Sequence, residues 1–348
     1  MKNYPFSNEN ACLVLDDLTS QYFIKSSLEE GYLVLADKKT CFIDARSYLG
    51  VKDNLVKDGI DIKLLKDISD VKDFLTEIKA KNLYLDFSRT TVKAYNEFLS
   101  WGFNIKDSSE IISEMRSQKT SDEIEKTIIA CEIAEKALYS ALESLKKGIT
   151  ELELKGIIEE KIIEHGAEGT SFETIVAFSK NSAVPHHKSN GTRLEKDMPI
   201  LIDMGAKYKG YSSDITRTMF FGNPSKDFVD RYNLVLKANL TAEKSIKCGD
   251  MTDNADGYAR NVLEKEGLAK YFTHSLGHGI GLEVHEYPFL SPKRKNELKE
   301  NMLFTIEPGV YFDGEYGIRI EDTVLLTKDG IKRLFTDSKE LMIIKEKN

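Results

Sequence analysis

Histidine, proline, cysteine and tryptophan are all scarce in this chain, and the few present are unevenly placed. Of 348 residues, six are histidine, seven proline, four cysteine and one tryptophan. No histidine precedes His165, and only Pro5 precedes Pro185. Only four of the 22 glycines come before residue 120. A long N-terminal stretch without imidazole is a poor place for hydrolysis, so the chemistry is expected in the C-terminal half. The cysteines, Cys12, Cys41, Cys131 and Cys248, form no CxxC pair and no zinc-finger spacing. They read as separate thiols of a reducing cytoplasm. No apolar run approaches the roughly 18 residues of a membrane span. The first twenty residues lack a secretory leader's apolar run, because Asp16 and Asp17 interrupt the short one present. The charge is −8, from 49 basic and 57 acidic residues, with no basic stripe. Neither nucleic acid nor a membrane is an expected partner.

What is present describes an ordinary globular chain, 41% hydrophobic and 30% charged. At about 150 residues per domain the length implies two domains. The N-terminal part alternates short apolar strands, Ala11–Leu15, Tyr32–Ala36, Thr40–Ile43 and Asn82–Asp86, with helical patterns at Asp70–Lys79 and Val92–Trp101. That is the pattern of a small α/β domain, with a linker near Arg116–Ser121. Thr120 or Ser121 can cap the helix that follows, read over Asp122–Lys147 with Gly148 as its C-cap. A second helix is expected over Glu151–Glu164, then glycine-punctuated strands, with two more helices around Phe228–Lys247 and Asn254–Glu266. The domains are therefore drawn as 1–117 and 118–348.

Two apolar hairpins carry carboxylates where apolar side chains belong. In the first, Asp203 interrupts the strand Ile200-Leu-Ile-Asp203-Met204, the chain turns at Lys207–Gly210, and Asp214 lies on the way back. In the second, Glu307 interrupts Leu303-Phe-Thr-Ile-Glu307, Asp313-Gly314 turns the chain, and Glu321 lies on the return. Like charges on neighbouring strands repel, and an acid in an apolar strand loses hydration. One such hairpin could be surface decoration; two in one domain are much harder to explain that way. Between them, Phe272–Glu286 holds His274, His278 and His285, with Gly277, Gly279 and Gly281 beside His278. Those glycines permit a bulge or a close backbone approach. A fourth segment, Val184-Pro185-His186-His187, places His186 directly after a proline. Four carboxylates and an imidazole suit Mn²⁺, Co²⁺, Fe²⁺ or Zn²⁺. Two divalent ions would balance four negative charges, and such a pair activates water and polarises a carbonyl. The reaction class these residues imply is metal-assisted hydrolysis.

Together the segments resemble the aminopeptidase P and prolidase family of dinuclear metallopeptidases. The matching residues are Val184-Pro-His186, Ile202-Asp-Met-Gly205, Ser213-Asp-Ile-Thr-Arg-Thr218, His274–Glu286, Thr305-Ile-Glu-Pro-Gly-Val-Tyr311 and Gly317-Ile-Arg-Ile-Glu-Asp322. They stand in family order, and the resemblance covers nearly the whole chain. It implies an α/β N-terminal domain followed by an α+β pita-bread (creatinase/aminopeptidase-like) catalytic domain. It also implies Asp203, Asp214, His278, Glu307 and Glu321 as metal ligands, with Asp214 and Glu321 bridging. Glu307 would move protons, and His186 and His285 would meet the scissile carbonyl as catalytic residues. His274 and Arg319 would contact substrate, Arg319 also holding Glu321. Two Mn²⁺ ions, or Co²⁺ or Zn²⁺, a proline-containing peptide as substrate and a cytoplasmic homodimer complete the expectation.

Methionine aminopeptidase shares the five ligands but lacks this N-terminal domain and the Gly317–Glu321 pattern. Creatinase departs at ligand positions that are intact here. A non-catalytic binding module on the same fold would be expected to have lost ligands. Xaa-Pro aminopeptidase is placed first, with Xaa-Pro dipeptidase (prolidase) as the alternative.

Overall fold

Alternation along the first strands decides the architecture of the N-terminal unit. In Asn10–Val14, Ala11 and Leu13 pack into one apolar core while Cys12 and Val14 pack into another. Gly31–Leu35 and Lys39–Ile43 divide likewise, Val34 and Phe42 to one side, Leu33, Leu35, Cys41 and Ile43 to the other. Side chains on a strand point alternately to its two faces, so this sheet is covered on both. In the computed structural model, which describes residues 4–26, 28 and 31–345, the chain divides into units Met1–Arg116 and Ser117–Asn348. The first contains a six-stranded mixed sheet. Its order is Asp61–Leu64, Lys39–Ile43, Gly31–Leu35, Asn10–Val14, Asn82–Leu85 and Asn104–Asp107. Only the pairings of Gly31–Leu35 are antiparallel.

The four strands read from sequence are present within a residue of their expected ends, and helices occupy Ser69–Glu77 and Val92–Leu99. Three helices and two strands were not anticipated. Helix Ala45–Lys57 starts at the Asp44 cap and fully buries only Leu55, with Val51 partly buried beside it, so its apolar stripe is short. The edge strands Asp61–Leu64 and Asn104–Asp107 are mostly exposed and polar, as edges that resist further pairing are. The segment read as a linker is ordered. Helix Ser109–Ser117 runs into it, and Lys119 donates its backbone N–H to Asn301 at 2.8 Å.

The second unit repeats one plan twice. Each half begins with a pair of packed helices, Ser121–Leu142 with Glu151–Glu164, then Lys226–Ser245 with Thr252–Lys265. In each half two antiparallel strands of the main sheet follow, and between them the chain leaves that sheet to make a small hairpin. In the first half the strands are Met198–Met204 and Ile215–Phe221, with the excursion Ala206–Tyr208 and Tyr211–Ser212. In the second they are Leu303–Ile306 and Glu321–Thr327, with the excursion Gly309–Phe312 and Tyr316–Arg319. Strand Ile215–Phe221 pairs with Glu321–Thr327, joining the halves in one nine-stranded sheet. Lys209 and Gly210 close the first excursion at φ of 47° and 82°, the left-handed pair that a two-residue hairpin turn requires.

Thr120 is the cap of the first helix, with Glu123 completing a reciprocal capping box; Thr150 and Glu153 do the same for the second. The first helix stops at Leu142, short of the expected Lys147, and Gly148 is not its cap. The chain leaves it in shorter-range turns, Ser144 N to Ala141 O and Leu145 N to Leu142 O. Leu145 stays buried in either course, which is why its spacing looked helical. No described helix is long and apolar enough to cross a membrane.

Candidate metal centre and its pocket

The carboxylates meet where the two halves join, though by a different route than a simple hairpin. In the ladder Asp203 faces Thr216, not Asp214. Thr216 in turn faces Glu321 on the next strand. Asp203, Thr216 and Glu321 therefore form one row across three strands. Asp214 lies one residue before its strand and Glu307 one residue after its own, at the points where the chain bends into and out of the excursions. Those bends bring four acids from two hairpins to one place. His278 arrives on the short strand Gly277–Gly279, whose pairing is bulged between His278 and Gly279.

The result is a pocket of about 500 Å³. Its wall carries every residue singled out from sequence: His186, Asp203, Asp214, His274, His278, His285, Glu307, Arg319 and Glu321. Asp214, His278 and Glu321 each present a ligand atom within 4.8 Å of the others. His278 Nε2 lies 3.4 Å from Glu307 Oε1 and 3.7 Å from Asp214 Oδ2. His278 Nδ1 faces the Gly279 carbonyl at 3.2 Å, which can only accept a proton. In the neutral ring Nε2 is then a bare lone pair aimed at two carboxylates. Asp203 Oδ1 and Asp214 Oδ1 are buried with no hydrogen-bond partner. Lone pairs converging on common space, with unpartnered buried oxygens among them, are the donor set of a divalent-cation site, and the residues present fit the expected metals.

The charge states point the same way. Burial, then the neighbouring Glu321, Asp203 and Glu307, push the Asp214 carboxyl well above its usual range. Burial followed by Glu307 and Asp203 does the same to Glu321. Burial lifts Glu307 to about 8, against the opposing pull of Arg319. Burial drops His278 to about 3, assisted by the adjacent His285. Without a cation this cluster must hold protons.

Three side chains organise the acids. Arg319, itself buried, donates from Nη2 to Asp203 Oδ2 (2.5 Å), from Nε to Thr216 Oγ1 (3.0 Å) and from Nη1 to Tyr311 Oη (2.7 Å). Thr216 Oγ1 donates to Glu321 Oε2 at 2.5 Å. Arg319 thus grips Asp203 directly and reaches Glu321 through Thr216, whereas the resemblance had it holding Glu321. Thr305 Oγ1 accepts the His278 N–H (3.1 Å) and donates to Glu307 Oε1 (3.2 Å). Tyr311, Thr216 and Thr305 lay inside the quoted motifs but carried no charge to mark them.

The histidines divide by partner. His274 Nδ1 faces the Ser275 carbonyl at 2.9 Å, so its Nε2 accepts from Tyr311 Oη at 2.9 Å. Burial and then Arg319 lower His274 to about 4, which keeps that neutral tautomer. The His285 ring lies 4.2 Å from that of His278, and burial lowers its pKa as well. His186 is exposed at the pocket. Its neighbour His187 is bonded to buried Glu151 at 2.8 Å, a pairing no spacing rule announced. His165 caps a helix end and bonds Ser140, away from these groups.

The chain is similar to known proteins over nearly its whole length. An Xaa-Pro dipeptidase of Pyrococcus furiosus is 34% identical over 342 residues, spanning 97% of both chains. The solved Xaa-Pro dipeptidase of Bacillus anthracis superposes with a TM-score of 0.93 at 31% identity, over 96% of this chain and 95% of that one. The X-Pro aminopeptidase of Thermotoga maritima superposes with a TM-score of 0.90 at 32% identity, over 97% and 98%. These neighbours extend across both units, and the fold is the expected one, an α/β domain followed by an α+β pita-bread domain. The model of metallopeptidase family M24 matches residues 125–328, the stretch that supplies all of these acids and histidines, and the chain belongs to that family.

Proposed function

We propose that this metallopeptidase cleaves the bond between an N-terminal residue and proline, and that it does so as an Xaa-Pro dipeptidase. The observation that carries the hydrolytic reading is the convergence of Asp214, His278 and Glu321 within 4.8 Å, in the pocket that also holds Asp203 and Glu307. The names borne by relatives of matching length support the proline specificity and favour the dipeptidase over the aminopeptidase placed first from sequence. The Thermotoga neighbour supports the aminopeptidase as second reading.

Asp203, Asp214, His278, Glu307 and Glu321 would hold two divalent ions, Mn²⁺ by preference, and these supply Lewis acidity and a water acidic enough to attack at neutral pH. Glu307, which accepts from Thr305 Oγ1 at 3.2 Å, is placed to take a proton from the attacking water and return it to the leaving nitrogen. That return matters for proline, whose amide nitrogen bears no N–H and leaves only once protonated. His285, neutral because burial lowers it, donates an N–H toward the carbonyl oxygen, and His186 meets the same oxygen from the pocket mouth. Arg319 holds the Asp203 carboxylate aimed inward. His274 and Tyr311 form a neutral wall for the substrate. We also propose a cytoplasmic homodimer; the four cysteines, three buried and all unpaired, suit a reducing compartment.

The test is hydrolysis of an Xaa-Pro dipeptide and a matched Xaa-Pro-Yaa tripeptide, with added Mn²⁺ and a chelator control. Cleavage of the dipeptide alone, abolished by chelator, is the expected result. Cleavage of the tripeptide would favour the aminopeptidase. Cleavage of neither, with any divalent ion, would leave a binding module on the same fold.

A further inference from the structure

Accepting the role given to His186, one further question is what holds that residue still. It sits in a turn between the 3₁₀ segment Ser179–Ala183 and strand Met198–Met204, on backbone outside any sheet. A group that stabilises developing charge must be fixed before the reaction begins. The turn's own backbone bonds are few, Val184 N to Asn181 O and His187 N to Val184 O, both at 3.1 Å, and the Pro185 carbonyl accepts from Arg319 Nη1 only at 3.5 Å.

The fixing point is Glu151, the first residue of helix Glu151–Glu164 and fully buried. Its Oε1 accepts from the Phe178 backbone N–H and from Asn181 Nδ2, both at 2.8 Å. Its Oε2 accepts from His187 Nε2 at 2.8 Å and from the Asn190 backbone N–H at 2.9 Å. One carboxylate therefore gathers the loop where it begins, at its middle and where it leaves. A carboxylate only accepts, so His187 Nε2 carries the proton. Four donors, and a position in the first turn of a helix, compensate a charge that burial would otherwise penalise. With His187 committed to Glu151, His186 is the member of the pair left free to meet a substrate. The far side of the loop is tied to the active-site hairpin, where the Gly317 N–H donates to Ser182 Oγ at 2.9 Å.

We propose that Glu151 and His187 are positioning residues, a clamp that sets the His186 imidazole against the scissile carbonyl. This rests on the peptidase reading for its kinetic consequence but not for its structural one. The clamp needs the N–H of residue 187, not its aromatic ring. His187→Leu removes the donor; His187→Gln supplies an amide N–H of similar reach.

Two measurements test it. Amide hydrogen exchange is read on the Mn²⁺-loaded wild type, His187→Leu and His187→Gln. The expected result is exchange at least ten times faster over residues 184–190 in His187→Leu, with the helix core unchanged and His187→Gln close to wild type. Unchanged exchange in His187→Leu overturns the clamp whatever the enzyme's activity. Kinetics on the Xaa-Pro dipeptide then ask whether the clamp acts through His186. His187→Leu is expected to lower kcat at least tenfold with KM altered less than threefold and bound metal unchanged, and His187→Gln to recover most of the loss. In a His186→Ala background the His187→Leu substitution is expected to add nothing. A further loss there, of the same factor as in the wild type, would overturn positioning through His186. If wild type hydrolyses no proline peptide, the peptidase reading fails while the exchange result still decides the clamp.

Discussion

Arg319 Nη2 donates to Asp203 Oδ2 at 2.5 Å, and the remaining edges of its guanidinium are taken by Thr216 and Tyr311. One buried cation thus joins the excursion hairpin of the second half to the acidic strand of the first. Arg319→Met removes the counter-charge and the fork together. The acidic cluster would keep its affinity for divalent ions, because a competing cation has gone. What is lost is the aim of Asp203 and of Glu321 behind Thr216. The expectation is a fall in kcat of about 100-fold, in the range for losing a preorganised donor, with metal content unchanged. Arg319→Lys should recover little of it, since an ammonium cannot reproduce three bonds in one plane. Steady-state kinetics beside elemental analysis of the purified variants would check both.

Chelated protein should bind Mn²⁺ more tightly as pH rises to about 8, and release protons as it does so. The direction follows from Asp214, Glu321 and Glu307, all lifted above the usual carboxylate range, Glu307 to about 8. Each must ionise to become a ligand. The same shifts fix the stability of the metal-free chain. Between about pH 4.5, the ordinary glutamate value, and pH 8, its folded state holds a proton on Glu307 that the unfolded chain has lost. Stability therefore falls as pH rises through that window. Melting curves of chelated protein should move down from pH 5 to pH 8, and those of Mn²⁺-loaded protein should not. Titration calorimetry in buffers of different ionisation enthalpy would count the protons.

The acids of this site were legible because each broke a strong pattern. Asp203 and Glu307 interrupt apolar runs, and an interruption of that kind has few explanations. The exact pairing is not legible, because a simple hairpin turning at Lys207–Gly210 would place Asp214 beside Asp203. The excursion Ala206–Ser212 absorbs the intervening residues and turns Asp203 toward Thr216 instead. Neutral organisers such as Thr216, Thr305 and Tyr311 break no pattern and so gave no signal. Glu151 is the clearest case. It reads as a routine acid in a helix's first turn, and only the fold reveals that a distant loop closes on it. In the N-terminal unit the same rule holds. The buried strands announced themselves, while the exposed edge strand Asp61–Leu64 and the helix Ala45–Lys57 did not.

Asp322, next to Glu321, should matter for folding more than for turnover. Its carboxylate is fully buried, 2.7 Å from Arg217 Nη2, 2.8 Å from Lys339 Nζ and 2.9 Å from Arg333 Nε. Arg217 also donates to the Glu321 carbonyl at 2.6 Å. Asp322→Ala would leave Arg217, Arg333 and Lys339 with only Asp337 and Glu243 to balance them, at a cost of about 3 kcal/mol. Arg217, then Lys339 and Arg333, hold the carboxyl at about 2 despite the opposing effect of burial. A depressed carboxyl contributes its stability above the unfolded value of 3.8 and loses it as pH falls toward 2. Urea midpoints should show the wild type losing its advantage over Asp322→Ala between pH 4 and pH 2, and keeping it from pH 5 to 7.

Gly277 makes the sharpest steric prediction. A Cβ there would lie 1.9 Å from the Thr305 carbonyl oxygen and 2.9 Å from Thr305 Oγ1, on the neighbouring strand. That strand cannot move without consequence. Thr305 Oγ1 receives the His278 N–H and donates to Glu307, so a shift displaces two proposed ligands together. Gly277→Ala should therefore reduce bound metal below that of wild type and lower kcat/KM by more than 100-fold. Gly156→Ala is the control, because the added methyl meets nothing within 4 Å in the middle of helix Glu151–Glu164. There the substitution removes a helix-weakening residue and should raise stability by up to about 1 kcal/mol, with activity unchanged. If both alanines behave alike in metal content and turnover, the close approach at Thr305 does not govern the placement of His278.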